Sequence, residues 1–141
     1  MKTERTRTIR APADKVWRTV STGGDVHRWF SGVITTCELT GSGEGAERRC
    51  TMADGATLEE RIIEVDNDGM RFRYAIDKHP LPASDVVATI QLVGLPDGRT
   101  QVTWGADYSV SDDHAHLVET ALMNLYGQGI EALENFHETT A

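Results

Sequence analysis

"ADGATLEERIIEVD", Ala53 to Asp66, opens with an Asp-Gly turn and continues as a strand. Side chains alternate along a strand, so Leu58, Glu60 and Ile62 share one face and Thr57, Glu59 and Arg61 the other. Which face looks inward depends on how the strand pairs with "ERRCTM" (47–52) just before it. A three-residue loop (Asp54, Gly55, Ala56) turns Leu58, Glu60 and Ile62 inward, whereas a two-residue turn reverses every side chain. The first arrangement buries both aliphatic residues and leaves Glu59 and Arg61 in water. It pairs Met52 with Leu58 and Cys50 with Glu60, and sets Arg48 one step along the inner face from Glu60. A buried carboxylate is costly without a partner. Arg48 is that candidate partner.

The same turn chemistry recurs on either side. Asp-Gly also stands at 68–69 and 97–98, and "TGSGEG" occupies 40–45. Asp-Gly between alternating runs is a strong hairpin signal. "DKHPLPAS" makes a further break, with Pro80 and Pro82 interrupting pairing. These breaks divide the chain into six consecutive strands, about 33–39, 46–52, 57–65, 70–77, 85–94 and 100–109. A seventh strand, about 4–10, begins the chain. Gly41 to Ala46 also matches GxGxxG/A, but a dinucleotide site needs a helix next, and strand-like "ERRCTM" follows instead.

Two short helices fit between the first two strands. Pro12 suits a first helical turn in "APADKVWRTVS", with Val16 and Val20 on one face. Asp25 to Phe30 follows the breaker Gly23-Gly24 and brings Trp29 and Phe30 beneath the sheet. A long helix, about 113–137, ends the chain, capped by Ser111 or Asp112. Its stripe is Val118, Ala121, Leu122, Leu125, Ala132, Leu133 and Phe136, with Gly129 near the middle. Glycine inside a helix costs about 1 kcal/mol relative to alanine. Gly129 therefore reads as either room opposite the sheet or close packing of helix on strand. Gly127, on the opposite face, has no explanation in the sequence.

Alternation places Val33, Thr35, Cys37 and Leu39 on one face, and Ala46, Arg48, Cys50 and Met52 inward on the next strand. Met70, Phe72, Tyr74 and Ile76 form the cleanest inner set, opposite Arg71 and Arg73. Val86, Ala88, Ile90 and Leu92 follow, then Val102, Trp104, Ala106 and Tyr108. The Arg48–Glu60 pair reads three ways: as a structural ion pair, as a polar anchor in an apolar cavity, or as an acid/base.

The 141 residues suit one domain, residues 1–141, with a substantial core. Fourteen Lys and Arg stand against 22 Asp and Glu, a net charge of −8. That balance argues against nucleic acid, whose phosphates need clustered cations. No apolar run reaches a membrane-spanning length, and "MKTERTRTIR" lacks a signal-peptide core. Cys37 and Cys50 have no metal spacing and read as reduced thiols in a cytoplasmic protein. His114 and His116, two apart on a helix, diverge, so no metal and no cofactor is expected. Whether the chain forms a homo-oligomer stays open.

The order of strand, two short helices, six-stranded meander and long helix resembles the α+β helix-grip fold of the START/Bet v 1-like (SRPBCC) superfamily. "APADKVW", "RWFSGV", "GEGAERRCTMADGATLEERIIEVD", "RYAI", "PLPASD" and "TQVTWGADY" are similar to the bacterial polyketide cyclase/dehydrase family, over about 4–138. The resemblance implies a curved antiparallel sheet of about seven strands round the long helix, enclosing a cavity for a small hydrophobic ligand. "LEERI" also resembles the matching strand of plant abscisic-acid receptors, where the residues at Arg48 and Glu60 face the pocket. By that likeness, Asp54–Ala56 and His79–Pro82 are the loops at the pocket mouth. Those receptors hold a ligand carboxylate with a lysine, and "WFSGVITT" has no basic residue to match it.

Three functions compete. The first is binding or carriage of a lipid- or polyketide-like molecule, with Trp29, Arg48, Cys50, Met52, Leu58, Glu60, Phe72, Tyr74, Val86, Ala88, Trp104, Leu125, Tyr126 and Gly129 as ligand contacts. The second is a cyclase or aromatase in which Arg48 stabilises an enolate and Glu60 or Tyr74 moves a proton. Without a nucleophile and base at motif spacing, no catalytic residue is assigned. The third is a co-chaperone-like module, since the activator of Hsp90 ATPase family shares the fold. That reading expects an exposed docking patch and no sizeable cavity.

Overall fold

Turn chemistry lays out the sheet. The computed structural model describes residues 1–139 and begins with β1 (Lys2–Ile9), α1 (Ala13–Ser21) and α2 (Val26–Trp29). The meander follows as β2 (Ile34–Thr40), β3 (Glu47–Met52), β4 (Thr57–Asp66), β5 (Arg71–Lys78), β6 (Ser84–Gly94) and β7 (Thr100–Ser109). The helix α3 (Asp112–Thr139) closes the chain. The strands form one antiparallel sheet in the order β1-β7-β6-β5-β4-β3-β2. Gly55 and Gly98 take positive φ in their turns, where a side chain would be strained. "TGSGEG" is the β2–β3 turn, as its strand-like continuation requires. This is the Bet v 1-like helix-grip fold.

One face of the sheet packs on α1, α2 and α3. Phe72, Tyr74, Val86, Ala88, Ile90, Val102, Trp104, Ala106 and Tyr108 are all buried there, on the side that alternation assigns. From the helices, Val16, Trp17, Val20, Val118, Leu122, Tyr126, Ile130 and Leu133 complete the core. Glu134, also buried, fastens α3 to the end of β1: it accepts hydrogen bonds from Arg7 Nη2 at 3.0 Å and from the Arg10 backbone N–H at 2.8 Å.

Four expectations are corrected. First, β3 and β4 pair Arg48 with Glu60 and Cys50 with Leu58, two residues out of the expected register. Met52 N–H donates to Ala56 C=O at 2.7 Å, so Met52 stands opposite Ala56 and the three-residue turn is 53–55, one residue earlier than expected. A shift of two keeps the faces, so Leu58, Glu60 and Ile62 still look inward.

Second, Thr35 is exposed and Ile34 is buried. The β2–β3 register slips between Ile34 and Thr36, and this irregularity resets the alternation. Third, Cys37 and Cys50 stand directly opposite each other on β2 and β3 and form a disulfide. Their reading as reduced thiols is overturned, and the thiol argument for a cytoplasmic setting goes with it. The spacing of 13 gave no hint, because strand register sets their proximity.

The fourth correction concerns Gly129, which is not room for a ligand. A Cβ there would sit 2.9 Å from one ring carbon of Trp104 and closer still to another. The indole fills the space, so Gly129 is a close-packing glycine. On the other face Gly127 lies beneath the Arg5 guanidinium, whose atoms would stand at ordinary contact distances of 3.4–3.6 Å from a Cβ there.

Candidate functional site

Between the sheet and the N-terminal half of α3 lies a cavity of about 360 Å³. Its polar floor comes from β3 and β4. Arg48 Nε donates to Glu60 Oε1 at 2.7 Å, and Arg48 Nη1 donates to the Gly23 carbonyl at 2.8 Å. Both side chains are at most 7% exposed. The guanidinium stands 4.7 Å from the Tyr74 ring centroid and 5.9 Å from that of Phe72, within cation–π range. The identical pairing type one residue along, Arg49 with Glu59, points outward and is solvated. Strand parity alone separates the buried pair from the exposed one.

Aromatic residues make the wall. Trp29 and Phe30 stack at 5.7 Å, and Trp104 lies 5.8 Å from the first and 5.9 Å from the second. Tyr126 stacks on Trp104 at 5.3 Å. Trp104 Nε1 donates to Tyr74 Oη at 3.1 Å. Burial pushes the Tyr74 phenol well above its usual range, with the nearby Glu60 charge adding and Arg48 opposing. Tyr126 is raised chiefly by burial too. Both phenols therefore keep their protons and serve as neutral hydrogen-bonding groups.

Of the residues singled out in the sequence, Trp29, Arg48, Cys50, Met52, Leu58 and Glu60 line this cavity. So do Phe72, Tyr74, Val86, Trp104, Leu125 and Tyr126. Ala88 and Gly129 do not. Ala88 lies buried between Tyr74 and Ala106 in the sheet, and Gly129 lies under Trp104. Asp54 and His79–Leu81 come to the cavity from the two expected loops. His79 Nδ1 accepts the Leu81 N–H at 3.2 Å, and burial pulls its imidazole below the ordinary value.

Sequence reasoning missed several lining residues. Val118 and Leu122 were legible as part of the α3 stripe. Ile34 was hidden by the bulge, and Thr19, Asn124 and Gln128 carry no periodic signal.

The family model described as polyketide cyclase / dehydrase and lipid transport matches residues 1–138. The chain belongs to that family. No curated protein sequence matches it. Among solved structures, a Thermobifida fusca protein is 28% identical, with a TM-score of 0.82 over 94% of this chain and 90% of its own. Norcoclaurine synthase from Thalictrum flavum, in complex with dopamine and hydroxybenzaldehyde, is 18% identical (TM-score 0.80; 96% of this chain, 84% of that one). The ginseng major latex-like protein 151 is 15% identical, with a TM-score of 0.85 and 97% of both chains covered. The last two share the fold. Family and fold together support a ligand-binding role for this polyketide cyclase/dehydrase family member. No helix among the described residues is long and apolar enough to cross a membrane.

Proposed function

We propose that this chain binds or carries one small hydrophobic molecule, lipid- or polyketide-like, in the cavity between sheet and α3. The observation that carries the reading is an apolar, aromatic-walled space whose charged groups are confined to the Arg48–Glu60 pair and the mouth. Its volume falls in the roughly 300–1,000 Å³ range of small-molecule sites. Large apolar side chains left exposed (Met1, Ile63, Val93 and Leu117) are spread over the start of the chain, β4, β6 and α3 rather than gathered on one element. That distribution favours a cavity ligand over a co-chaperone-like role. Norcoclaurine synthase, with its two aromatic ligands, illustrates what the fold can enclose.

Titration with the neutral fluorescent probe N-phenyl-1-naphthylamine tests the reading. Saturable uptake of one probe per chain is expected, with Leu125→Trp, which fills the cavity from α3, losing most of it while circular dichroism stays unchanged. No uptake by the wild type, or undiminished uptake by a folded Leu125→Trp variant, overturns the assignment.

A further inference from the structure

Side chains that border both the cavity and water occur in two groups. One is the mouth at the β3–β4 and β5–β6 loops, where Asp54 and Pro80 line the cavity and are exposed. The other is on the helical side. Asn124 and Gln128, one turn apart on α3, also line the cavity and are exposed, while Thr19 and Gly24 line it half-buried.

The second group lies away from the loops. The Gly23 carbonyl accepts from Arg48 Nη1 at 2.8 Å, and Gly24 lies beside Leu39, the β2 partner of Arg48. The link between α1 and α2 therefore sits at the level of Arg48. Along β3, Arg48 stands about 13 Å from Met52, where the loop mouth begins, at roughly 3.3 Å per residue. On α3, Gln128 adjoins Gly129, which packs on Trp104 at the inner end of the cavity. Thr19 Oγ1 and His137 Nε2, 3.1 Å apart, tie α1 to α3 farther along the helix. The lining group thus marks a slot between the α1–α2 link and α3, at the opposite end of the cavity from the loops.

The chemistry of this slot is neutral. Two carboxamides, one hydroxyl and the glycine backbone offer donors and acceptors without a formal charge. The ion pair at the same level, Arg48–Glu60, is buried and already joined. An amphiphile keeps its polar end where water reaches it, because burying an unpaired polar group among aromatic rings is costly. A hydroxyl or amide finds donors and acceptors on Asn124 and Gln128, whereas a charged end finds no counter-ion among these four residues.

We propose that the cavity is a passage with a second opening, and that this opening is a subsite for the polar end of the ligand. An amphiphile lies with its apolar body inside and its neutral hydroxyl or amide end at Asn124 and Gln128. This inference rests on the cavity reading and adds the ligand's orientation and the groups that hold its polar end.

Displacement of N-phenyl-1-naphthylamine by 1-decanol, decanoate and decyltrimethylammonium tests the assignment, and charge introduced at the exposed position 128 reports where the polar end sits. Wild-type protein should prefer 1-decanol, and Asn124→Ala/Gln128→Ala should weaken that alcohol about two- to tenfold. Gln128→Lys should tighten decanoate about two- to fivefold, and Gln128→Glu should do the same for decyltrimethylammonium. Pro80→Lys places the same added charge at the loop mouth and should change decanoate binding less than Gln128→Lys does. A response to Pro80→Lys that equals or exceeds the response to Gln128→Lys puts the polar end at the loops and overturns the inference. So does undiminished 1-decanol binding by the double alanine variant, a wild-type ranking led by either ion, or no displacement by any of the three. Those outcomes leave the cavity reading intact, because the naphthylamine probe itself still binds. Failure of that probe to bind the wild type sinks the cavity reading and the inference together.

Discussion

Replacing Glu60 with leucine would leave the Arg48 guanidinium buried, with the Gly23 carbonyl and the Tyr74 face as its remaining company. Removing one partner of a buried ion pair costs about 3–5 kcal/mol, because the other charge stays desolvated and uncompensated. No discount for solvent screening applies, since neither side chain is more than 7% exposed. For 141 residues, an unfolding entropy near 2.1 cal/mol/K per residue sums to about 0.3 kcal/mol/K. The expected fall in Tm is therefore about 10–17 °C. The Arg48→Met/Glu60→Leu double variant removes both charges and fills the site with apolar volume. It loses the bond to Gly23, worth about 1 kcal/mol, and should return to within about 2 kcal/mol of the wild type. Urea unfolding of the wild type, both single variants and the double variant, followed by circular dichroism and tryptophan fluorescence, gives the full cycle. Single variants that each lose less than about 1 kcal/mol, with losses that simply add in the double, would refute the claim that this pair is desolvated and mutually dependent.

Three further outcomes follow from the packing and titration of the fold. Gly129→Ala should destabilise by about 1–3 kcal/mol, because overpacking against Trp104 outweighs a helix-propensity gain of about 1 kcal/mol. Gly127→Ala meets Arg5 only at ordinary contact distances, so denaturant midpoints should show it neutral or stabilised; the reverse order of the two variants would contradict the packing. Burial lowers the imidazoles of His79 and His137, with Lys15 adding at His137. A lowered folded value means the unfolded chain binds more protons just below pH 6.5, so stability falls as pH drops from 6.5 through the folded values. Urea midpoints between pH 7.5 and 5.5 should show that slope, and His79→Gln and His137→Gln should each flatten it; a midpoint that rises on acidification would exclude it.

What the sequence disclosed was local. Asp-Gly turns and Pro80-Leu81-Pro82 mark strand ends through backbone preferences that operate within a few residues, and these boundaries hold to within one or two residues. The inward parity of Arg48, Glu60 and Tyr74 was legible too, because period-two alternation survives a register error of two. Non-local facts were out of reach. The slip at Ile34/Thr36 and the one-residue displacement of the β3–β4 turn are settled by neighbouring strands, and together they misplaced Thr35 and the Met52–Leu58 pairing. The Cys37–Cys50 bond depends on the same β2–β3 register. Gly129 could be read as empty or as filled, and only the position of Trp104, 25 residues earlier on another element, decides between them.

The location of the cavity follows from a mismatch between a straight element and a bent one. The 28 residues of α3 span about 42 Å at 1.5 Å per residue. Register irregularities at Ile34/Thr36, Glu59/Glu60, Ile62/Glu64 and Ser84/Val87 interrupt the ladders of β2, β4 and β6, and such irregularities bend a sheet. A straight helix cannot follow a bent sheet along its whole length. Contact is kept at the C-terminal half of α3, where Ile130 and Leu133 are fully buried and Glu134 is tied to Arg7 and Arg10. Val118 to Gln128, the preceding turns, face the cavity. Gly129 sits at the change-over, bringing Trp104 against the helix and making its indole both the last piece of core and the first piece of cavity wall. Closeness at one end of α3 and hollowness at the other are thus two effects of the same geometry, so the Glu134 contacts should govern stability while the Val118–Gln128 face governs what the protein holds.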